Sequence, residues 1–136
     1  MLEAGLTVNA RIEAELGLLR LHYQEAEYLH AGGLHWFRVG PLLTPENWSP
    51  GEIPAVFSVT EGHPGAVPYG FYVPAALAFN GKPPSEHAAP HQPPFPGKWR
   101  FLSWQAVGWR PTADISTGSN LWGWVRSFLQ RLREGQ

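Results

Sequence analysis

GKWRFLSWQAVGWRPTADI, residues 97–115, gathers three of the chain's seven tryptophans, Trp99, Trp104 and Trp109, around one small hydroxyl, Ser103. An indole buries a large apolar body while its N–H seeks a partner, so a stretch this rich in tryptophan belongs against a packed core, not in a free linker. Behind it, Trp109-Arg110-Pro111 turns the chain toward a segment in which Leu121, Trp124, Val125, Phe128, Leu129 and Leu132 recur at steps of three and four. That spacing predicts an amphipathic helix over about 120–133. Ser119 is the expected cap, with Arg126, Arg131 and Arg133 on the exposed face toward the C-terminal end.

Ahead of the tryptophans, NGKPPSEHAAPHQPPFPG (80–97) is dense in proline and almost free of aliphatic residues, and it reads as a long irregular loop. Nearer the N-terminus, Val8, Ile12 and Leu16 have helical spacing and predict a helix over 8–16, with Glu13 and Glu15 facing out and Gly17 ending it. Leu19, Leu21 and Tyr23 then alternate with polar residues, predicting a strand over 18–29. Ala31-Gly32-Gly33 supplies a hairpin turn into a returning strand over 34–39. Pro41, Pro45, Pro50 and Pro54 mark a loop, because each lacks the amide hydrogen of a central strand. A third strand is expected over 55–61 and a short fourth over 71–73, within HPGAVPYGFYVP (63–74). The expectation is one α+β domain over 1–136: an N-terminal helix, a four-stranded antiparallel meander, a long proline-rich loop and a C-terminal helix.

Ten Lys and Arg against eleven Asp and Glu leave a net charge of -1, so no electrostatic footprint points to nucleic acid or to an anionic membrane. Cysteine is absent, which removes disulfides, thiolate metal sites and thiol catalysis together. The N-terminal residues lack the basic flank and apolar run of an export signal, and no apolar run approaches the roughly 20 residues that span a bilayer. A cytoplasmic location is the expectation. No cofactor is indicated, and His87 and His91, four apart across Ala-Ala-Pro in a loop, do not read as a metal pair.

The sequence of elements, and several short motifs, resemble the ubiquitin-conjugating superfamily. His63-Pro64, then Pro68-Tyr69 and Phe71-Tyr72-Val73, are similar to the Tyr-Pro-x-x-Pro-Pro segment leading into that family's fourth strand. Trp109-Arg110-Pro111 followed by Ile115 and an apolar helix is similar to its Trp-x-Pro segment. Phe95, Gly97, Trp99 and Ser103 ahead of Trp109 resemble the F-x-G-x-W-x-x-x-S stretch of the bacterial branch called prokaryotic family E. The resemblance spans about 8–133 and implies an α+β fold of ubiquitin-conjugating type, with a ubiquitin-like protein and a bacterial activating enzyme as partners. Two departures stand out: the family's acceptor cysteine and its His-Pro-Asn tripeptide are both missing. A thioester is excluded, which leaves an oxyester carried on a hydroxyl and passed to an amine, or a non-catalytic binding module.

Within that frame Ser103 is the acceptor hydroxyl, being the one nearest the family's acceptor region. A serine needs a base to become a nucleophile, and His87 or His91 in the neighbouring loop has the right chemistry. Asp114 is a further base or an orienter of the incoming amine. Ser116, Thr117 and Ser119 read as turn and capping residues. Trp99, Arg100 and Trp104 are candidate contacts for a partner, because tryptophan and arginine dominate interface hot spots. Trp109 and Pro111 are assigned to structure.

Overall fold

Alternation along residues 34–43 sends Phe37 and Val39 to one face of a sheet and Trp36 to the other, and the neighbouring strands obey the same rule. The computed structural model describes residues 2–84 and 88–135, and it is of the α+β class. Its elements are α1 (Leu2–His22), β1 (Glu27–Ala31), β2 (Leu34–Leu43), β3 (Trp48–Ser49), β4 (Glu52–Thr60), β5 (Tyr69–Pro74), β6 (Ala78–Phe79), β7 (Trp99–Gln105) and α2 (Leu121–Arg133). Five strands pair in the order β1-β2-β4-β5-β7, each antiparallel to its neighbour, while β3 and β6 form a separate short ribbon. The Gly32-Gly33 turn has φ of 60° and 74°, the left-handed geometry that a two-residue hairpin with the twist of its strands requires.

Both faces of the sheet are covered. On one, Phe37, Phe57, Phe71, Val73 and Leu102 pack against Ile12 and Leu19 of α1 and Leu121, Trp124, Val125, Phe128 and Leu132 of α2. Phe128 lies at the middle, stacked on Phe71 with ring centroids 3.9 Å apart and meeting Phe57 and Trp124 edge-on. On the other face Trp36, Val56, Tyr72 and Phe101 are capped by Phe95 from the proline-rich segment and flanked by Trp99. No helix among the described residues is long and apolar enough to cross a membrane.

Several expectations need correction. The first helix runs to His22, and Gly17 does not end it. Gly17 is exposed and an added methyl there would meet nothing, so it costs the helix only about 1 kcal/mol, while Leu16 and Leu19 anchor the turns on either side. The strand expected over 18–29 is therefore the last turns of α1, a turn, and the short β1. Glu15, expected on the outer face, is 0% exposed. The meander has five strands instead of four, because the tryptophan-rich stretch is itself the outermost strand, β7, paired with β5. β2 continues through Pro41 to Leu43, with a register shift between Val39 and Leu42 that accommodates the proline. The cap of α2 is Asn120, whose side-chain oxygen accepts the Gly123 N–H at 2.9 Å, and Ser119 instead accepts the Arg110 N–H at 2.8 Å. Arg131 is 6% exposed, not on the outer face, and donates to the Gly135 carbonyl at 3.1 Å as the chain leaves the helix.

Gly70, in β5, has φ of 74°, and a Cβ added there would come within 2.1 Å of the Phe101 ring. Gly70→Ala is expected to lose about 2–4 kcal/mol of stability from the clash together with the left-handed backbone. A urea midpoint matching the parent protein would show that Phe101 is not packed over this position.

Candidate functional site

β7 carries Leu102 and Trp104 toward the helices and Phe101 toward the proline-rich segment. Its pairing with β5 shifts between Tyr69↔Gln105 and Phe71↔Leu102, so Ser103 and Trp104 together stand opposite Gly70. Such a two-against-one bulge re-aims side chains. Here Ser103 is half-buried and its hydroxyl is hydrogen-bonded to the phenol of Tyr69, itself 52% exposed. A phenol donates to or accepts from a neighbouring hydroxyl and so orients it, whereas taking its proton calls for an imidazole or a carboxylate.

A row of rings runs from Ser103 along this face. Tyr69 meets Phe101 with centroids 6.3 Å apart, Phe101 meets Tyr72 at 5.0 Å, and Tyr72 meets Trp36 at 5.8 Å. His91 joins at the far end: the Tyr72 hydroxyl donates to its carbonyl at 2.9 Å and accepts its N–H at 3.3 Å, and its ring meets Trp36 edge-on. Burial pushes the Tyr72 phenol up, against the opposing effect of the His91 backbone. The structure thus brings Tyr69, not His91, to Ser103. His87 lies outside the described residues.

Asp114 belongs to another network. Its Oδ1 accepts the Ser116 N–H at 2.9 Å and the Ser116 hydroxyl at 2.7 Å, and its carbonyl accepts the Thr112 and Thr117 hydroxyls. These bonds from Ser116 hold the carboxyl below its ordinary range. These bonds lie within a turn closed by the reciprocal pair Arg110 N–H to Ser119 Oγ and Ser119 N–H to the Arg110 carbonyl.

The tryptophans divide their roles. Trp109 packs part-buried against the core and donates its indole N–H to the Pro64 carbonyl at 2.8 Å, tying the Trp-Arg-Pro segment to the His63-Pro64 turn. Trp104 donates to Ser127 Oγ at 3.0 Å and so fastens β7 to α2. Trp99 donates to the Phe95 carbonyl at 3.2 Å, and Trp99 and Arg100 both keep part of their surface exposed. A cleft of about 790 Å³ between the end of α1 and the β2–β4 shift holds none of these groups.

Two polar clusters are not foreseen from the sequence. Glu15 Oε1 accepts the Leu121 N–H, the first amide of α2, at 2.9 Å; Oε2 accepts from Arg11 at 3.1 Å and from the buried His63 Nε2 at 2.8 Å. Arg11 continues to the carbonyls of Thr112 and Ser119. In the second cluster His30, His35 and Glu61 meet at the β1 side of the sheet, where hydrogen bonds from His30 and then His35 hold the Glu61 carboxyl low. The only local signal for either was polarity at a position that the helical or strand period marks as inward, Glu15 between Ile12 and Leu19 and His35 before Phe37.

Against known proteins, the chain matches no family model and finds no significant match among curated proteins or solved structures.

The two carboxylate networks differ in what their loss should do. Glu15→Ala leaves a buried imidazole, a guanidinium and a helix-initial amide without their acceptor, and is expected to cost about 3–5 kcal/mol in denaturant unfolding; a loss below about 1 kcal/mol would show that the network contributes little. For Asp114, the folded pKa is lowered, so its stabilisation is present above the unfolded carboxylate range and is lost as pH falls through the folded value. Asp114→Ala should accordingly lose less melting temperature between pH 7 and pH 3 than the parent protein, measured by thermal melts at both.

Proposed function

We propose that this chain is a ubiquitin-conjugating-like binding module, one that presents a ubiquitin-like protein, or the activating enzyme that delivers it, without a covalent bond of its own. The observation that carries this is the surface around β7. The strand is outermost in the sheet, pairs regularly with β5 from Trp99 to Leu102, and offers extended backbone to which a protein tail can add as a further strand. Part-exposed Trp99 and Arg100 lie on that stretch and Tyr69 beside it, the residue types that anchor protein contacts. Of the two described groups expected to act as bases, Asp114 is bonded to Ser116, and His91 is tied through its backbone to the Tyr72 hydroxyl with its ring edge-on to Trp36. The order helix, antiparallel meander, proline-rich segment, Trp-Arg-Pro and helix supports the same family reading.

The second reading keeps Ser103 as an acceptor, and the Tyr69 hydroxyl bonded to it at a reachable position favours that. In this case Ser103 Oγ attacks the activated C-terminal carbonyl of the ubiquitin-like protein, its proton passes to a base, and the activating enzyme's thiolate leaves. An amine then displaces the serine.

Both readings are tested by mixing the chain with ATP and a bacterial activating enzyme together with its ubiquitin-like protein. The module reading expects a non-covalent complex, unchanged by Ser103→Ala and weakened about tenfold by Trp99→Ala at matched melting temperature. An adduct resistant to thiol and labile to hydroxide, lost in Ser103→Ala and thiol-sensitive in Ser103→Cys, would replace it with the acyl-carrier reading. Absence of both complex and adduct would overturn the family assignment.

A further inference from the structure

We propose that His30, His35 and Glu61 form a binding site for a divalent transition-metal ion, with zinc the best match. The β1–β2 register sets His30 directly across from His35, and their rings lie stacked 4.6 Å apart at 11°. Glu61, the first residue beyond β4, reaches both: its Oε2 lies 2.8 Å from His30 Nε2 and its Oε1 lies 2.6 Å from His35 Nε2. One ligand atom from each of the three residues falls within 4.8 Å of the others. Two imidazole nitrogens and one carboxylate oxygen are a borderline donor set that suits zinc above calcium or magnesium.

The geometry needs little adjustment. Zinc bonds of about 2.0–2.2 Å in a tetrahedron hold ligand atoms about 3.3 Å apart, a spacing that one nitrogen of each imidazole and one Glu61 oxygen, all within 4.8 Å of one another, reach by small side-chain movements. His35 is 2% exposed, and its other nitrogen, Nδ1, lies 2.7 Å from the Tyr28 hydroxyl. With that oxygen accepting Nδ1–H, the Nε2 lone pair is presented to the ion, the outer hydrogen bond that ligating histidines characteristically make. His30 and Glu61 are half exposed, which gives the ion a path in and leaves the fourth position to water or an added ligand. An open three-residue site of this kind belongs to an exchangeable or reactive zinc, since closed structural sites use four protein ligands. It lies toward the β1 edge of the sheet, the opposite edge from β7, and stands independently of the function proposed above.

Calorimetric titration of the chelator-treated, untagged full chain with zinc chloride tests this. One ion per chain with micromolar or tighter affinity is expected, with a zinc-dependent rise in melting temperature. His30→Ala and Glu61→Gln, both at exposed positions, should each weaken binding at least tenfold, and His22→Ala should not. Tyr28→Phe keeps the ring and removes only the hydroxyl, so it should weaken zinc about tenfold or more, as loss of an outer hydrogen bond does. No saturable binding below millimolar zinc, or one-to-one binding that survives both His30→Ala and Glu61→Gln, overturns the proposal.

Discussion

A single carboxylate shielded from water organises the molecule. Glu15 sits on the inner face of α1, and an ionisable group there is tolerated only because three donors, two of them from distant parts of the chain, converge on it. The Leu121 amide brings the start of α2, where a negative charge also complements the positive end of the helix dipole. His63 brings the turn after β4, which Trp109 grips from the other side through the Pro64 carbonyl. Arg11 brings the 110–119 turn through two of its carbonyls. Hydrophobic burial alone would let two helices slide over a sheet with modest change in energy. A carboxylate with fixed donors fixes their register.

That register is what allows the sheet to be different on its two sides. The helix face is aliphatic and aromatic, closed around Phe128, and it behaves as a conventional core. The opposite face is a file of aromatic rings under proline-rich chain, with hydroxyls at the rim: Tyr72 holding the segment at His91, Tyr69 holding Ser103. Proline suits the cover because it holds an extended course without amide hydrogens that would otherwise need partners. Ser103 is therefore at a margin, packed enough to be oriented and exposed enough to be reached.

The sequence is most legible where one period runs long enough to be unambiguous. α2 can be read from six apolar residues at helical steps, and the Gly32-Gly33 hairpin from the left-handed backbone that only such a turn demands. It is least legible where two periods coincide: Leu19, Leu21 and Tyr23 fit an alternating strand, yet Leu19 is fully buried while Leu21 is 78% exposed, and the helix through Ile12, Leu16 and Leu19 accounts for both. β7 can be seen to belong against a core but not to be a strand, because a strand covered on both faces shows little polar alternation. Glu15 is illegible because two of its donors lie 48 and 106 residues away, and no window of sequence contains them. The Ser103–Tyr69 pair is separated by 34 residues and depends on a bulge, a feature set by pairing and not by composition.

The bulge has a consequence for how the protein behaves in a crowded solution. An outermost strand with regular backbone along its whole length is a template on which copies of the same chain can stack without limit. In β7 the regular ladder stops after Leu102, and the two-against-one step at Ser103 and Trp104 twists the end of the strand away from a straight continuation. The regular stretch of this edge is short and its end is turned aside, so stacking of copies on it is disfavoured by geometry and not by charge.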